Sequence, residues 1–242
     1  MQAWIEDMTA AFELNFIQAN RWKYLVDGLG TTLTITLLAG VIGVIIGVII
    51  AMVRSTYDKT EANSRQTVGR KLFGYVDWFC RVYLTVMRGT PVLIQLMIIY
   101  YVIFASSDNG LLVAALAFGL NSGAYVAEIV RGGIMSIDNG QFEAGRSLGF
   151  NYLQTMRFII IPQTVKNVLP SLANEFIALL KETSVAGYVA VVDLTKGGDI
   201  IRSRTYSAFM PLIAVALIYL ALVMFFTKLV SLLERRLRNS DH

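Results

Sequence analysis

Residues 28–53 read GLGTTLTITLLAGVIGVIIGVIIAMV, and no charged side chain occurs between Gly28 and Val53. About 20 helical residues cross the ~30 Å hydrocarbon core of a bilayer, so this run is long enough to span it. Outward along the chain, Gly89–Ser107, Asn109–Ala127 and Thr205–Thr227 also lack charge over a membrane thickness or nearly so. A fifth segment, from about Val168 to Val192, is apolar apart from Glu175, Lys181 and Glu182. It is read as a span whose charges face a cavity or a partner, because ionisable groups in lipid cost several kcal/mol. The expected fold is an all-α membrane protein with five transmembrane helices, at about 28–53, 89–107, 109–131, 168–192 and 205–228.

Composition points the same way. Of 242 residues, 55% are hydrophobic and 16% charged, against about 25% charged in soluble domains. We expect one membrane domain over 25–236, an external interfacial segment at 1–24 and a cytoplasmic tail at 237–242. Five crossings put the termini on opposite sides. The segments 54–71, 131–166 and 228–242 hold 5, 4 and 4 Lys or Arg, whereas 1–27, 105–110 and 191–204 hold 2, 0 and 3. Positive charge favours the cytoplasmic face, which places the C-terminus inside and the N-terminus outside.

Local patterns refine this reading. Trp4, Ile5, Met8, Phe12 and Phe16 recur at helical spacing among polar residues, as in a helix lying on the outer membrane surface. Glu6, Asp7 and Glu13 set the N-terminus apart from a cleaved signal. A helix from Leu72 to Ser107 would be too long for one crossing, so it must bend or split. The break is expected at Gly89, Thr90 and Pro91, where proline removes a donor and disfavours helix before it. Gly40, Gly43 and Gly47 fall near one face of the first span, where either a neighbouring backbone approaches or glycine is simply tolerated in a membrane helix.

Several chemistries are disfavoured. Cys80 is the only cysteine and His242 the only histidine, so neither a disulfide, a thiol metal site nor histidine catalysis is expected. The formal charge of +4 sits at the ends of apolar runs, where it suits lipid head groups rather than nucleic acid. No G-x-x-x-x-G-K-[S/T] phosphate loop occurs.

The loop QFEAGRSLGFNYLQTMRFIIIPQ, Gln141 to Gln163, is longer than a passive connector needs. Phe142, Gly145, Leu148 and Gly149 lie along one side of a short helix, and Leu153, Met156 and Ile160 follow at helical spacing. Such an amphipathic element can insert into a groove on a soluble partner and pass its motion to the spans it joins.

The pattern Glu143-Ala144-Gly145, three residues, Gly149, nine residues, Ile159-Ile160-Ile161-Pro162 resembles the EAA loop of permeases in binding-protein-dependent ABC importers. The spacing matches throughout, with Gly145 for the third-position alanine and Ile161 for leucine. The segments 88–95, 121–134, 174–176 and 181–184 resemble the polar amino-acid subfamily, which imports histidine, glutamine, arginine or related substrates. This similarity runs from about residue 25 to 236. It implies a bacterial cytoplasmic-membrane permease without cofactor of its own, whose coupling loop, residues 137–162, docks on a separate ATP-binding subunit carrying ATP and magnesium. Glu143, Ala144, Gly145, Gly149, Ile159 and Pro162 are the implied coupling residues. An extracytoplasmic binding protein and a second permease, identical or similar, are the other implied partners. Glu143 also reads simply as a carboxylate favoured near a helix N-terminus.

Polar residues inside the spans mark a candidate pathway. Asn121, Tyr125 and Glu128 share one face of the third span. Asn167, Ser171, Glu175 and Glu182 make a similar stripe on the fourth, with Asn174 and Lys181 beside it. Carboxylates and amides there suit the ammonium of an amino acid, and a cationic side chain more so. Glu128 can instead pair with Arg131 one turn away, and Lys181 can neutralise Glu175 or a carboxylate on another helix. An ion-coupled transporter or channel would share the buried carboxylates but has no need of the cytoplasmic loop.

Overall fold

The computed structural model describes residues 2–61 and 68–238, and every regular element among them is helical. The last four residues of the expected tail lie outside the described residues. The chain runs α1 (Gln2–Phe12), α2 (Trp22–Glu61), α3 (Val68–Gly89), α4 (Val92–Ile98), α5 (Gly110–Met135), α6 (Asn139–Ser147), α7 (Tyr152–Thr155), α8 (Ile161–Glu182), α9 (Leu194–Thr205) and α10 (Phe209–Arg238). Three of these, within α2, α5 and α10, are long and apolar enough to cross a membrane. A fourth crossing results if α3 and the α4 segment are taken together as one bent span.

The helices extend beyond the apolar runs because charged ends can continue a helix into water. Thus α2 begins at Trp22, before Gly28, and continues past Val53 to Glu61. Inside it, Thr31, Thr34 and Thr36 donate their hydroxyls to the carbonyls four residues back, which satisfies them without water. α3 is amphipathic: Asp77, Cys80 and Leu84 are buried at helical spacing, whereas Leu72, Tyr75, Trp78 and Phe79 are exposed. It ends at Gly89, and α4 starts at Val92, so Gly89, Thr90 and Pro91 occupy the interruption. The segment assigned to a span at 168–192 is helical earlier and stops sooner. α8 starts at Ile161 and ends at Glu182, and a 3₁₀ segment, Thr183–Val189, follows it to a left-handed Ala190.

Two compact units make up the chain: Met1–Ala39, Val92–Phe118 and Ile177–Lys228 form one, and Gly40–Pro91, Gly119–Phe176 and Leu229–His242 the other. The first has a core of Phe16, Leu25, Leu194, Ile201 and Val215. There Thr32 Oγ1 accepts from the Leu194 amide at 3.0 Å, which pins α9 to α2. Asn15, fully buried, donates to the Ala11 carbonyl and to Ser207 Oγ and accepts from Thr205, which holds the N-terminal segment to the turn between α9 and α10. Trp4, Ile5 and Phe12 of α1 are exposed, while Phe16 is buried.

In the second unit, Ala51, Val126, Val130 and Ile134 form a core with Ile137, Met156 and Ile160 of the 137–162 loop. Gly43 and Gly47 of α2 lie against Ser122 and Val126 of α5. That close approach is what lets side chains at the α2 and α5 ends meet.

Candidate functional site

The 137–162 loop is a rigidly terminated hairpin of short helices. Asp138 caps α6 by accepting from the Gly140 amide at 2.7 Å. Glu143 therefore stands in the body of α6, beyond its first turn, and is exposed, as is Ala144. At the other end the Gly149 amide donates to the Arg146 carbonyl at 2.9 Å and the Phe150 amide to the Gly145 carbonyl at 3.0 Å. This is a Schellman ending, and it requires the φ of +81° that Gly149 adopts. Asn151 and Gln154 then form a capping box that starts α7.

Gly145 is buried against Thr155: a Cβ there would lie 2.7 Å from both Thr155 Cγ2 and Oγ1. The departure from the alanine of the EAA pattern thus has a local reason. A π turn, Met156–Ile160, joins α7 to α8 just before Pro162, which cannot donate to the carbonyl four residues back. Ile159 is half-buried and Pro162 exposed. Leu148, Leu153 and Phe158 project from the hairpin at 71%, 75% and 60% exposure.

Within the same unit the candidate pathway residues are drawn into a charge cluster. Glu128 accepts from Arg54 Nη1 at 3.0 Å, meets Arg131 Nη2 at 3.4 Å and lies 3.9 Å from Arg88 Nη1. Arg131 also meets Asp58 at 3.3 Å. Asp77, almost wholly buried, is held by Arg81 at 2.6 Å and by Arg54 at 3.6 Å. Asp77, Arg81 and Arg88 are read from sequence only as the charged start of the segment at the cytoplasmic interface, and Arg54 and Asp58 carry no such reading; the i,i+4 spacing of Asp77 and Arg81 and the i,i+3 spacing of Glu128 and Arg131 are the local signals of pairing. The Tyr125 ring carries the Arg88 guanidinium 5.7 Å from its centroid. Asn121 donates to the Met87 carbonyl at 3.1 Å, and Ser122 to Glu175 Oε1 at 2.9 Å. Asn174 beside it is exposed. Lys181 and Glu182 belong to the first unit at the end of α8, the former exposed and the latter half-buried.

The first unit contains a cavity of about 400 Å³ lined in part by Tyr188, Asp193, Lys196, Asp199 and Arg202. Its charges satisfy one another. Asp193 caps α9 through the Thr195 and Lys196 amides, and burial pushes its carboxyl above the usual carboxylate range against the pull of those donors. Hydrogen bonds from Arg202 and Lys196 hold Asp199 below that range.

A family comparison decides what kind of protein carries this loop. Residues 67–239 match the family described as binding-protein-dependent transport system inner membrane component. The chain belongs to this family. Among relatives of this inner membrane component, the putative glutamine transport system permease protein GlnP of Rickettsia bellii is 35% identical over 217 residues, covering 88% of this chain and 93% of its own. The arginine transport system permease protein ArtQ of Bacillus subtilis is 33% identical over 221 residues, covering 90% and 94%. Among solved structures, an amino acid ABC transporter crystallised with histidines shares 40% identity at a TM-score of 0.77, over 91% of this chain and 98% of that one. The inward-facing MetNI methionine transporter, 20% identical at a TM-score of 0.73, shares the fold. This inner membrane component is a multi-pass permease subunit of the ABC importer class.

Proposed function

We propose that the chain forms one half of the pore of an importer that moves polar L-amino acids, cationic or amide, across the bacterial cytoplasmic membrane. Transport proceeds by alternating access, driven by ATP and magnesium on a separate nucleotide-binding subunit. α2, the α3–α4 pair, α5, α8 and α10 make five crossings, with the N-terminus external, the C-terminus cytoplasmic and the 137–162 loop in the cytoplasm. An extracytoplasmic binding protein delivers the substrate, and a second permease, the same or a similar chain, completes the pore.

One observation carries this reading: the α6–α7 hairpin is stiff and yet leaves large apolar side chains uncovered. Capped at Asp138, closed at Gly149 and packed at Gly145, it is built to transmit a push. Leu148 and Leu153 at its tip are largely exposed among the described residues, as expected of anchors for a groove on a partner. The relatives that transport glutamine and arginine support the substrate class. A transporter running on an ion gradient has no use for such a handle.

The test is purification of the intact complex from its native membrane, with identification of the copurifying subunits and of the amino acid that stimulates ATP hydrolysis. A chain that purifies without an ATPase, or that catalyses uptake in vesicles devoid of ATP, defeats the proposal.

A further inference from the structure

α3 buries one face and leaves the other bare. Asp77, Cys80 and Leu84 are buried, and contacts to α2 hold that side: Asp77 to Arg54 at 3.6 Å, and the Phe73 ring to Tyr57 with centroids 5.9 Å apart. Leu72, Tyr75, Val76, Trp78 and Phe79 lie on the uncovered side, with Tyr75, Trp78 and Phe79 71%, 62% and 68% exposed. Lys71 stands beside them and is also exposed. Asp77 is the only acid of α3 and it is buried, so the bare face carries apolar area and positive charge and no negative charge.

The depth of this face follows from α2. Arg54 comes directly after the charge-free run that ends at Val53, so its contact with Asp77 places Asp77 where the hydrocarbon ends on that side. Trp78 and Phe79 lie within a turn of that level, Tyr75 is about 3 Å of helix beyond it, and Lys71 about 9 Å beyond. The headgroup layer on each side of a bilayer is about 5–7 Å thick, so the rings fall within it and the lysine at its outer edge, where a long stem lets the ammonium reach back. Trp and Tyr at that depth are the usual anchors of a membrane helix. The charge suits the same layer: residues 54–71, which lead from α2 into α3, hold five Lys or Arg against Asp58 and Glu61, and Asp58 is taken by Arg131.

We infer that this face of α3 is a docking surface for anionic phospholipids of the cytoplasmic leaflet: Tyr75, Trp78 and Phe79 insert among the glycerol backbones, and Lys71 draws the negatively charged headgroup. The inference rests on the cytoplasmic placement of the α2–α3 connection proposed above and goes beyond it in naming a lipid class. One cation at such a surface enriches anionic over neutral lipid by roughly fivefold.

The test places the intact transporter complex in nanodiscs of equimolar phosphatidylcholine and phosphatidylglycerol, with bromine near the headgroup end of the acyl chains of one lipid or of the other. The fluorescence of Trp78, taken as the difference between the parent complex and Trp78→Phe, reports which lipid lies against the face. Brominated phosphatidylglycerol should quench it as strongly as a roughly fivefold larger amount of brominated phosphatidylcholine. Lys71→Gln should bring the two quenching curves together without lowering the total, and Lys71→Arg should keep them apart. Equal quenching by the two lipids in the parent, or a preference that survives Lys71→Gln, overturns the inference. So does quenching by neither lipid, which would mean that a second copy or the ATPase subunit covers the face. ATP-driven uptake by the same preparation in proteoliposomes reports on the importer reading separately, so failure of that reading leaves the lipid result readable.

Discussion

Arg54 on α2 donates from Nη1 to Oε1 of Glu128 on α5 at 3.0 Å, joining positions 74 apart in sequence. The same guanidinium lies 3.6 Å from Asp77 on α3, so one side chain ties three helices. Its side chain is 13% exposed and that of Asp77 3%. Removing one partner of a buried pair typically costs about 3–5 kcal/mol, because the other charge stays buried. Arg81 and Arg131 remain to share the load, so Arg54→Met should cost about 3 kcal/mol, the low end of that range. Arg81 makes the shorter contact but is 51% exposed, and Arg81→Met should cost below about 1 kcal/mol. Thermal unfolding of the detergent-purified protein measures both. The reverse order would show that contact length, not burial, governs this cluster.

Gly145 and Thr155 give a packing prediction. Thr155 is 2% exposed and its hydroxyl donates to the Asn151 carbonyl, so it cannot simply turn away from an added methyl. Gly145→Ala should destabilise the hairpin by about 1–3 kcal/mol, the usual cost of overfilling a packed site. Adding Thr155→Ala removes both clashing atoms and should restore most of it. Proteolytic nicking within 137–162 is the readout, and a single alanine variant as resistant as the parent protein would refute the close packing.

These two relationships mark where sequence reading reached and where it stopped. Gly28–Val53 betrayed α2 because absence of charge over a membrane thickness is a local property. The run of short helices and turns from Glu143 to Pro162 was legible because its periodicity lies within one short stretch. Arg54, by contrast, reads as the cationic end of an apolar run, and only the rotation of α2, α3 and α5 about their axes brings it to Asp77 and Glu128. Thr155 was invisible for the same reason: nothing in its own neighbourhood says that a glycine ten residues earlier packs on it. The end of α8 at Glu182 was misplaced because hydropathy continues through Val192 while the backbone tightens into a 3₁₀ turn. Composition does not record that change.

Asp193 and Asp199 should give stability opposite dependences on pH. Asp199 is held below the usual range by Arg202 and Lys196, so its contribution is present above its unfolded pKa, about 3.9, and is lost as pH falls through the lower folded value. The carboxylate is 33% exposed, which limits the effect to below about 1 kcal/mol. Burial raises Asp193, so the folded state binds its proton more readily and stability drains as pH rises from about 3.9 through that raised value. Asp199→Asn should therefore be less stable than the parent near pH 7 and approach it as pH falls below about 3.9. Asp193→Asn keeps an acceptor for the Thr195 and Lys196 amides and should flatten the slope above about pH 3.9, whereas Asp193→Ala should lose about 1 kcal/mol of capping at every pH. Melting curves across this range decide it, and parallel profiles for the parent and Asp199→Asn would rule out the ion pair as a contributor.

The sharpest test of the coupling loop is Gly149. Its φ of +81° is a conformation that side chains with a Cβ adopt at a cost of roughly 1–2 kcal/mol, asparagine least among them. A Cβ at this position meets no atom within 4 Å, so no internal clash accompanies the change. Gly149→Asp and Gly149→Asn therefore present nearly the same shape and differ in charge at an exposed tip beside Leu148. If that tip seats in an ATPase subunit, Asp should leave membrane insertion intact but cut uptake per ATP hydrolysed by about tenfold, the equivalent of ~1.4 kcal/mol of lost coupling. Asn should retain most of it. Uptake and phosphate release measured together in proteoliposomes separate these outcomes: loss of both in proportion points to a folding defect, loss of uptake alone to a broken linkage. Normal transport by Gly149→Asp would remove the loop from the mechanism.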